Sequence, residues 1–335
     1  MSGINRTLLG MALVSMFALF LRVELTCAQD SPVEIHRDYD LLRLELSPEH
    51  RTQVEAALQQ KDYKSAEKIL VQEAELDPKS PRAAKLLEFS GGLFFLDAQY
   101  GNAVIAWKKA EAIAPLDERT RFTLAMAYIK VNRRSWARSE LDKLSLAHPD
   151  DALYLYWLAR IDYDDQKYSE AIARLQRIVA LDPNMVRSHD LLGLCYDYTG
   201  HFDQALASFS RAVELNRLQA KPSPWPPLDM AVTQIELNQV ANAEKGLQEA
   251  ITYNPKLPQA QYQLGRVLDK EGKVEQAIHA LKTSAALDAF YPDPHYLLGR
   301  MYQKIGKDDL AKAEILEFQR LKQAANSRSQ RILPP

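Results

Sequence analysis

Cysteine is nearly absent from this chain: Cys27 and Cys195 are the two in 335 residues. Two thiols cannot make a zinc site by themselves. An exported protein keeping one of them has no internal disulfide framework, so its stability must come from packing, with Cys195 read as a small buried hydrophobe. Charge of one sign is missing too. Lys and Arg number 42 against 44 Asp and Glu, a net charge of −2 with no run of like charges, and the electrostatic footprint of a nucleic-acid binder is therefore lacking. The apolar run LLGMALVSMFALFL, Leu8 to Leu21, stops at 14 residues, short of the ~20 a spanning helix needs, so the mature chain is expected to carry no membrane span.

Signatures of chemistry are equally scarce. The histidines, His36, His50, His148, His189, His201, His279 and His295, form no His-Glu-x-x-His or comparable ligand set, which leaves metal sites and cofactors unsupported. The acids of DYDDQKYSE, Asp162 to Glu170, fit a solvated turn between helices better than any calcium loop. No nucleophile stands in register with a base, and no glycine-rich loop is available to cradle phosphate. The chain is expected not to be an enzyme.

What is present begins with the leader. Arg6 precedes the 14-residue run, and Thr26 and Ala28 offer small residues at −3 and −1 for cleavage before Gln29, the pattern of a secretory signal peptide over residues 1–28. Glu24 and Thr26 fit a lipobox at Cys27 poorly, and an uncleaved anchor is the remaining alternative. The mature chain is then expected to be periplasmic or secreted, with 29–46 a linker.

The body of the sequence repeats. A small residue recurs at Gly91, Ala125, Ala159, Gly193, Ala231, Gly265 and Gly299, with successive gaps of 34, 34, 34, 38, 34 and 34. Ala103, Ala137, Ala171, Ala205, Ala243, Ala277 and Ala311 keep the same series, and Ala66 marks a degenerate unit ahead of them. Small residues at one fixed place let two helix backbones approach closely, while large residues three or four positions away fill the interface. One helix pair has too little core to stand alone, so the pairs must stack. Gly200, Gly272 and Gly306 recur at the bend between paired helices. Asp77-Pro78, Asp182-Pro183 and Asn254-Pro255 read as capping side chains before a proline suited to a first helical turn.

This pattern resembles the tetratricopeptide repeat family. The resemblance implies an all-α, right-handed α-solenoid of about eight helix-turn-helix units: 47–80, 84–117, 118–151, 152–185, 186–219, 224–257, 258–291 and 292–325, followed by a disordered tail at 326–335. The first unit departs most, with Val54 where Gly or Ala is expected, so its first helix reads as a cap or a poorly formed element. The stretch LQAKPSPWPPLDM, Leu218 to Met230, accommodates the four extra residues. It is expected to be an enlarged inter-repeat turn at 220–227, with Trp225 either covering adjacent core or serving as the anchor of a docking loop.

The resemblance also implies a function: a protein or peptide partner bound in a concave groove lined by the first helices. The candidate residues are Arg119, Phe122, Tyr156, Arg160, Tyr163, Arg187, Tyr262, Arg266, Tyr296 and Arg300. Three units place Arg four residues after Tyr, and an i, i+4 spacing puts both on one helix face, where a rigid ring and a forked cation suit a binding hot spot. The opposing reading buries each Tyr over the next unit's core and leaves the Arg solvated. The chaperone-tail clamp of some family members is absent, since its positions hold Glu88, Gly92, Thr123, Leu153 and Trp157. A scaffold in envelope assembly, secretion or polymer export is the role this implies, with a glycan- or lipid-handling accessory protein as the alternative.

Overall fold

The computed structural model describes residues 41–332. The leader, its cleavage site and most of the linker lie outside the described residues. Sixteen α-helices and one 3-10 turn account for the regular structure among those residues, and the fold is an α-solenoid of helical repeats. By internal contact the chain divides into two compact units, one ending at Ile161 and the other beginning at Asp162.

The first unit contains the helix pairs α1 (Pro48–Gln59) and α2 (Tyr63–Glu75), α3 (Pro81–Leu96) and α4 (Tyr100–Glu111), and α5 (Glu118–Lys130) and α6 (Arg134–Ala147). The division then falls within α7 (Ala152–Asp164). Proline supplies two of the starts: Pro48 and Pro81 stand at the first helical position behind Ser47 and Ser80, whose side chains accept from the backbone N–H of His50 and Ala83, both at 3.1 Å. The first helix is well formed despite Val54, which is fully buried together with Leu70 of the paired helix.

The second unit continues with α8 (Tyr168–Leu181), α9 (Val186–Tyr198), α10 (Phe202–Arg217), α11 (Trp225–Glu236), α12 (Val240–Tyr253), α13 (Pro258–Lys270), α14 (Val274–Leu287), α15 (Asp293–Lys304) and α16 (Asp308–Ile332). The last helix runs on to Ile332 where the sequence suggested a tail from 326. Between Asp308 and Ile332 no glycine or proline interrupts the chain, and residues such as Ala, Leu, Lys and Gln propagate a helix once it is nucleated.

The repeat spacing is explained by notches filled across each helix pair. A side chain added at Gly193 would lie 2.6 Å from the ring of Phe209, sixteen positions later. Gly265 meets Leu281 and Gly299 meets Ile315 in the same way, at 2.6 and 2.8 Å. In the first unit Gly91 lies against Trp107, whose indole N–H donates to the Glu88 carbonyl at 3.0 Å. The second-helix alanines are as closed in as expected: Ala66, Ala103, Ala137, Ala171, Ala205, Ala243 and Ala277 are all fully buried. Ala205→Leu is therefore expected to overpack the pair and lower the unfolding free energy by ~1–3 kcal/mol. A denaturant midpoint equal to that of the parent chain would contradict this packing.

The bends between paired helices are left-handed throughout. Gly200, Gly272 and Gly306 have φ of 77°, 75° and 70°. Lys61, Ala98, Asn132, Gln166 and Asn238 take the same place in the other pairs at 56° to 61°. Each closes the preceding helix with a paired set of backbone bonds, as when Gly200 N–H donates to Asp197 O at 3.0 Å and His201 N–H to Tyr196 O at 2.9 Å.

The Asp/Asn-Pro pairs differ from expectation. Asp182 and Asn254 end the second helices rather than capping the next first ones, and their side chains accept from the backbone N–H of Asn184 and Lys256 at 3.1 and 3.0 Å. A side chain bonding two residues ahead shapes a turn; the following helices start only at Val186 and Pro258.

One buried carboxyl of the first unit makes stability depend on pH. Glu67 on α2 is 5% exposed, accepts from Gln99 Nε2 at 3.3 Å, and faces Asp97. Burial first, and the Asp97 charge second, push its pKa from 4.5 up to about 7. The folded state thus holds a proton that the unfolded state releases above 4.5. The contribution is fully present below pH 4.5 and is lost as pH rises through 7. Glu67→Gln is expected to flatten this part of the stability profile and to raise stability at neutral pH, as read from denaturant titrations across that window.

Candidate peptide-binding groove

Successive first helices touch one another as well as their own partners, α3 with α5, α9 with α11, α11 with α13, and α13 with α15. A row of first-helix faces results within each unit. Their exposed residues depend on what the next repeat lays over them.

In the first unit, Phe122 and Tyr156 are buried at 2% and 5% exposure, Phe122 against Tyr154 at 5.7 Å and Tyr156 edge-on to Trp157 at 5.7 Å. Arg160 is buried too, and Arg119 is exposed. An exposed Tyr156/Arg160 pair is therefore not what the fold presents; both side chains belong to the packed interior.

In the second unit, Tyr163 is 2% exposed and meets Tyr168 and Tyr198 edge-on, each at 5.7 Å, while those two rings stack at 5.1 Å. Asp162, beside it, is buried and accepts from Arg174 Nε at 3.1 Å, so this acid leaves the solvated turn proposed for it. Arg187 is half-buried.

Tyr262 and Tyr296 occupy equivalent places and end differently. Tyr262 is 7% exposed under Tyr291, a residue of the turn before α15, with ring centroids 5.4 Å apart. Burial foremost, and then the nearby Asp293, raise its phenol pKa to about 12. Arg266 reaches past it to Glu236 at 2.9 Å and Gln263 at 2.8 Å. Tyr296 is 45% exposed. One repeat on from Tyr291 stands Ala325, inside the continuous α16, so among the described residues no turn residue takes the covering place and the ring rests partly on Phe318, 5.4 Å away. Arg300 is exposed and, among the described residues, forms no salt bridge. Of the three Tyr/Arg pairs, Tyr296/Arg300 is the one presented to solvent.

Trp225 is not an anchor on a projecting loop. It is 7% exposed, opens α11, and joins the core with Leu228, Ala231 and Leu247. The enlarged turn is itself fastened: Asn216 Nδ2 donates to Ser223 O, and Ser223 N–H donates back to Asn216 Oδ1, both at 2.8 Å. Two prolines at the helix start pre-set its backbone for the first turn. Outside this turn a shallow cleft of about 260 Å³ opens near Met230 and Gly246. On its rim Arg217 grips Glu249 in a bidentate pair at 2.7 and 2.8 Å, and Lys245 adds a further positive charge.

Comparison with known proteins agrees with this architecture. Two family models described as tetratricopeptide repeat match, one at residues 122–186 and 228–292 and the other at 186–217. The matched residues thus carry tetratricopeptide repeats, the unit that the 34-residue recurrence implied. Among solved structures it is similar to a tetratricopeptide repeat protein from Parabacteroides merdae, with 16% identity, a TM-score of 0.61, and coverage of 82% of this chain and 99% of that one. It is also similar to a chain of the APC/C hetero-tetramer Cut9-Hcn1, at 18% identity, TM-score 0.57, and 84% and 54% coverage. Yeast Tom70 aligns at 19% identity, TM-score 0.53, and 77% and 55% coverage. The curated relative mouse Superkiller complex protein 3 is 28% identical over 48% of this chain; the match spans 11% of the relative's own length.

Among the described residues no cluster of His, Cys, Asp and Glu is arranged to hold a metal ion, and no helix is long and apolar enough to cross a membrane.

Proposed function

We propose that this chain is an exported scaffold that binds a protein or peptide segment along its first-helix faces, in envelope assembly, secretion or polymer export. The observation that carries the binding reading is the solvent-presented pair Tyr296/Arg300 at the end of the row, where an aromatic ring and an exposed cation without a salt bridge among the described residues share one helix face. The cation favours a partner carboxylate. Export is supported by the 14-residue apolar run and the small residues before Gln29; recovery of an intact Met1 from exported protein would remove it. The reading assigns the chain no reaction.

The test starts with crosslinking and capture of partners by the mature protein in its native host, followed by affinity measurements on purified pairs. Tyr296→Ala and Arg300→Ala are each expected to weaken the captured partner by ~1–2 kcal/mol. Both side chains lie outside the core, so melting should shift by less than ~0.5 kcal/mol in stability. Binding should also weaken as salt shortens the Debye length from ~8 Å at physiological ionic strength to ~3 Å at 1 M. Wild-type affinity in both variants would eliminate this surface as the site.

A further inference from the structure

The chain segment ahead of α1 already sits on a first-helix surface of the first unit. Leu41–Leu44 forms a single 3-10 turn packed against α3. Leu41, Leu44 and Leu46 are buried at 4%, 5% and 4% exposure, whereas Leu42 is 68% exposed. Three leucines spaced i, i+3 and i+5 therefore fill an apolar surface, and the remaining side of the strap faces solvent.

Three of its polar contacts are with cations of the first two first-helix segments. Arg82 Nε donates to the Glu45 carbonyl at 3.2 Å, Lys85 lies 3.6 Å from the Glu45 carboxylate, and Arg51 Nη2 reaches the Leu46 carbonyl at 3.5 Å. A surface that buries leucines and is edged by Arg51, Lys85 and Arg82, the last also paired with the buried Glu73, suits an acidic, leucine-rich segment.

The fit is incomplete. Arg51 Nε is buried and, among the described residues, has no acceptor, because the strap brings Leu46 to this spot rather than a carboxylate. A buried donor left unsatisfied loses the hydrogen bond it would have made in water. Glu45 further takes a left-handed φ of 52° without being glycine, a conformation disfavoured for a side-chain-bearing residue. The strap is thus a seated but imperfect ligand.

We infer that residues 41–46 are an intramolecular occupant of a peptide-binding surface on α1 and α3, and that an acidic peptide of the pattern Leu-x-x-Leu-x-Leu displaces them. The surface is distinct from Tyr296/Arg300, although the inference rests on the reading that first-helix faces accept peptides. Occupancy by the strap lowers the apparent affinity for an outside peptide by the fraction of time the surface is open.

The probe is a fluorescein-labelled synthetic peptide of residues 38–49, DYDLLRLELSPE, titrated into the full chain and into a full-chain variant carrying Leu44→Asp and Leu46→Asp, whose strap cannot seat. The opened variant is expected to bind at least about tenfold more tightly than the parent. Adding Lys85→Glu to it should cost about threefold, the scale of an exposed ion pair. A composition-matched scrambled peptide should not bind. Equal affinity for parent and opened variant, or no binding by a helical opened variant, overturns the inference. Should the opened variant lose its helix content, hydrogen exchange on the parent chain decides: amides of 41–46 exchanging about a hundredfold faster than those of α3 support an independently opening strap, and equal protection overturns it. Loss of this peptide's binding with Tyr296/Arg300-dependent partner binding intact removes the strap inference alone, and the converse removes the proposed groove alone.

Discussion

Phe209→Ala is expected to lower the unfolding free energy by ~3–5 kcal/mol, the scale for removing a buried aromatic ring. Phe209 is fully buried and lies against Gly193, where an added side-chain carbon would come within 2.6 Å of the ring. The two positions should therefore be coupled. Gly193→Ala alone pushes against the ring and is expected to cost ~1–3 kcal/mol. In the Phe209→Ala background the clash is gone, and Ala has a helix propensity ~1 kcal/mol better than Gly. The double variant should consequently be no less stable than Phe209→Ala. Denaturant titrations of the parent, both single variants and the double variant complete the cycle. Additive losses would show that the ring does not occupy the Gly193 notch. Because stacked repeats lose stability unit by unit, hydrogen exchange of α9 and α10 should report the loss more strongly than remote helices do.

Tyr262→Ala is expected to cost ~3–5 kcal/mol in stability, again as a buried aromatic truncation, since the ring is 7% exposed and covered by Tyr291. Arg266→Ala should cost ~1 kcal/mol or less, because its partly exposed pair with Glu236 at 2.9 Å is the kind worth little in water. Melting of the two proteins side by side separates a core tyrosine from a groove tyrosine. A Tyr262→Ala protein as stable as its parent would return this ring to the binding surface and contradict the burial that distinguishes it from Tyr296.

These two residues also show how far the chain could be read without coordinates. The 34-residue recurrence of Gly or Ala determined the helical hairpins and their register, because close helix approach admits few side chains at the crossing and the requirement repeats with the structure. The same arithmetic located the enlarged turn before Trp225. It could not settle which way Trp225 points: an aromatic beside prolines suits a projecting anchor or a core plug equally, and only the Asn216–Ser223 clasp and the packing of α11 bring the ring inside.

Glycine was a partial guide to the bends. Lys61, Ala98 and Gln166 take the same left-handed conformation as Gly200, a cost borne by the helices on either side, so composition marked some of the bends and geometry all of them. The strap was legible only as a linker, since its three buried leucines, at i, i+3 and i+5, carry no helical period of their own until α3 supplies the surface they fill.

The candidate groove divides along the same line. Sequence by itself determined which residues share a helix face, because i, i+4 spacing is a property of one helix. Whether a shared face is open belongs to the next repeat. Tyr262 and Tyr296 stand at the same position of identical Tyr-x-Leu-Gly-Arg segments, yet one lies beneath Tyr291 and the other is 45% exposed because its equivalent cover is a residue of the final continuous helix. Local pattern sets the helices and their spacing; exposure is decided by non-local contact between repeats, a quantity no single repeat contains.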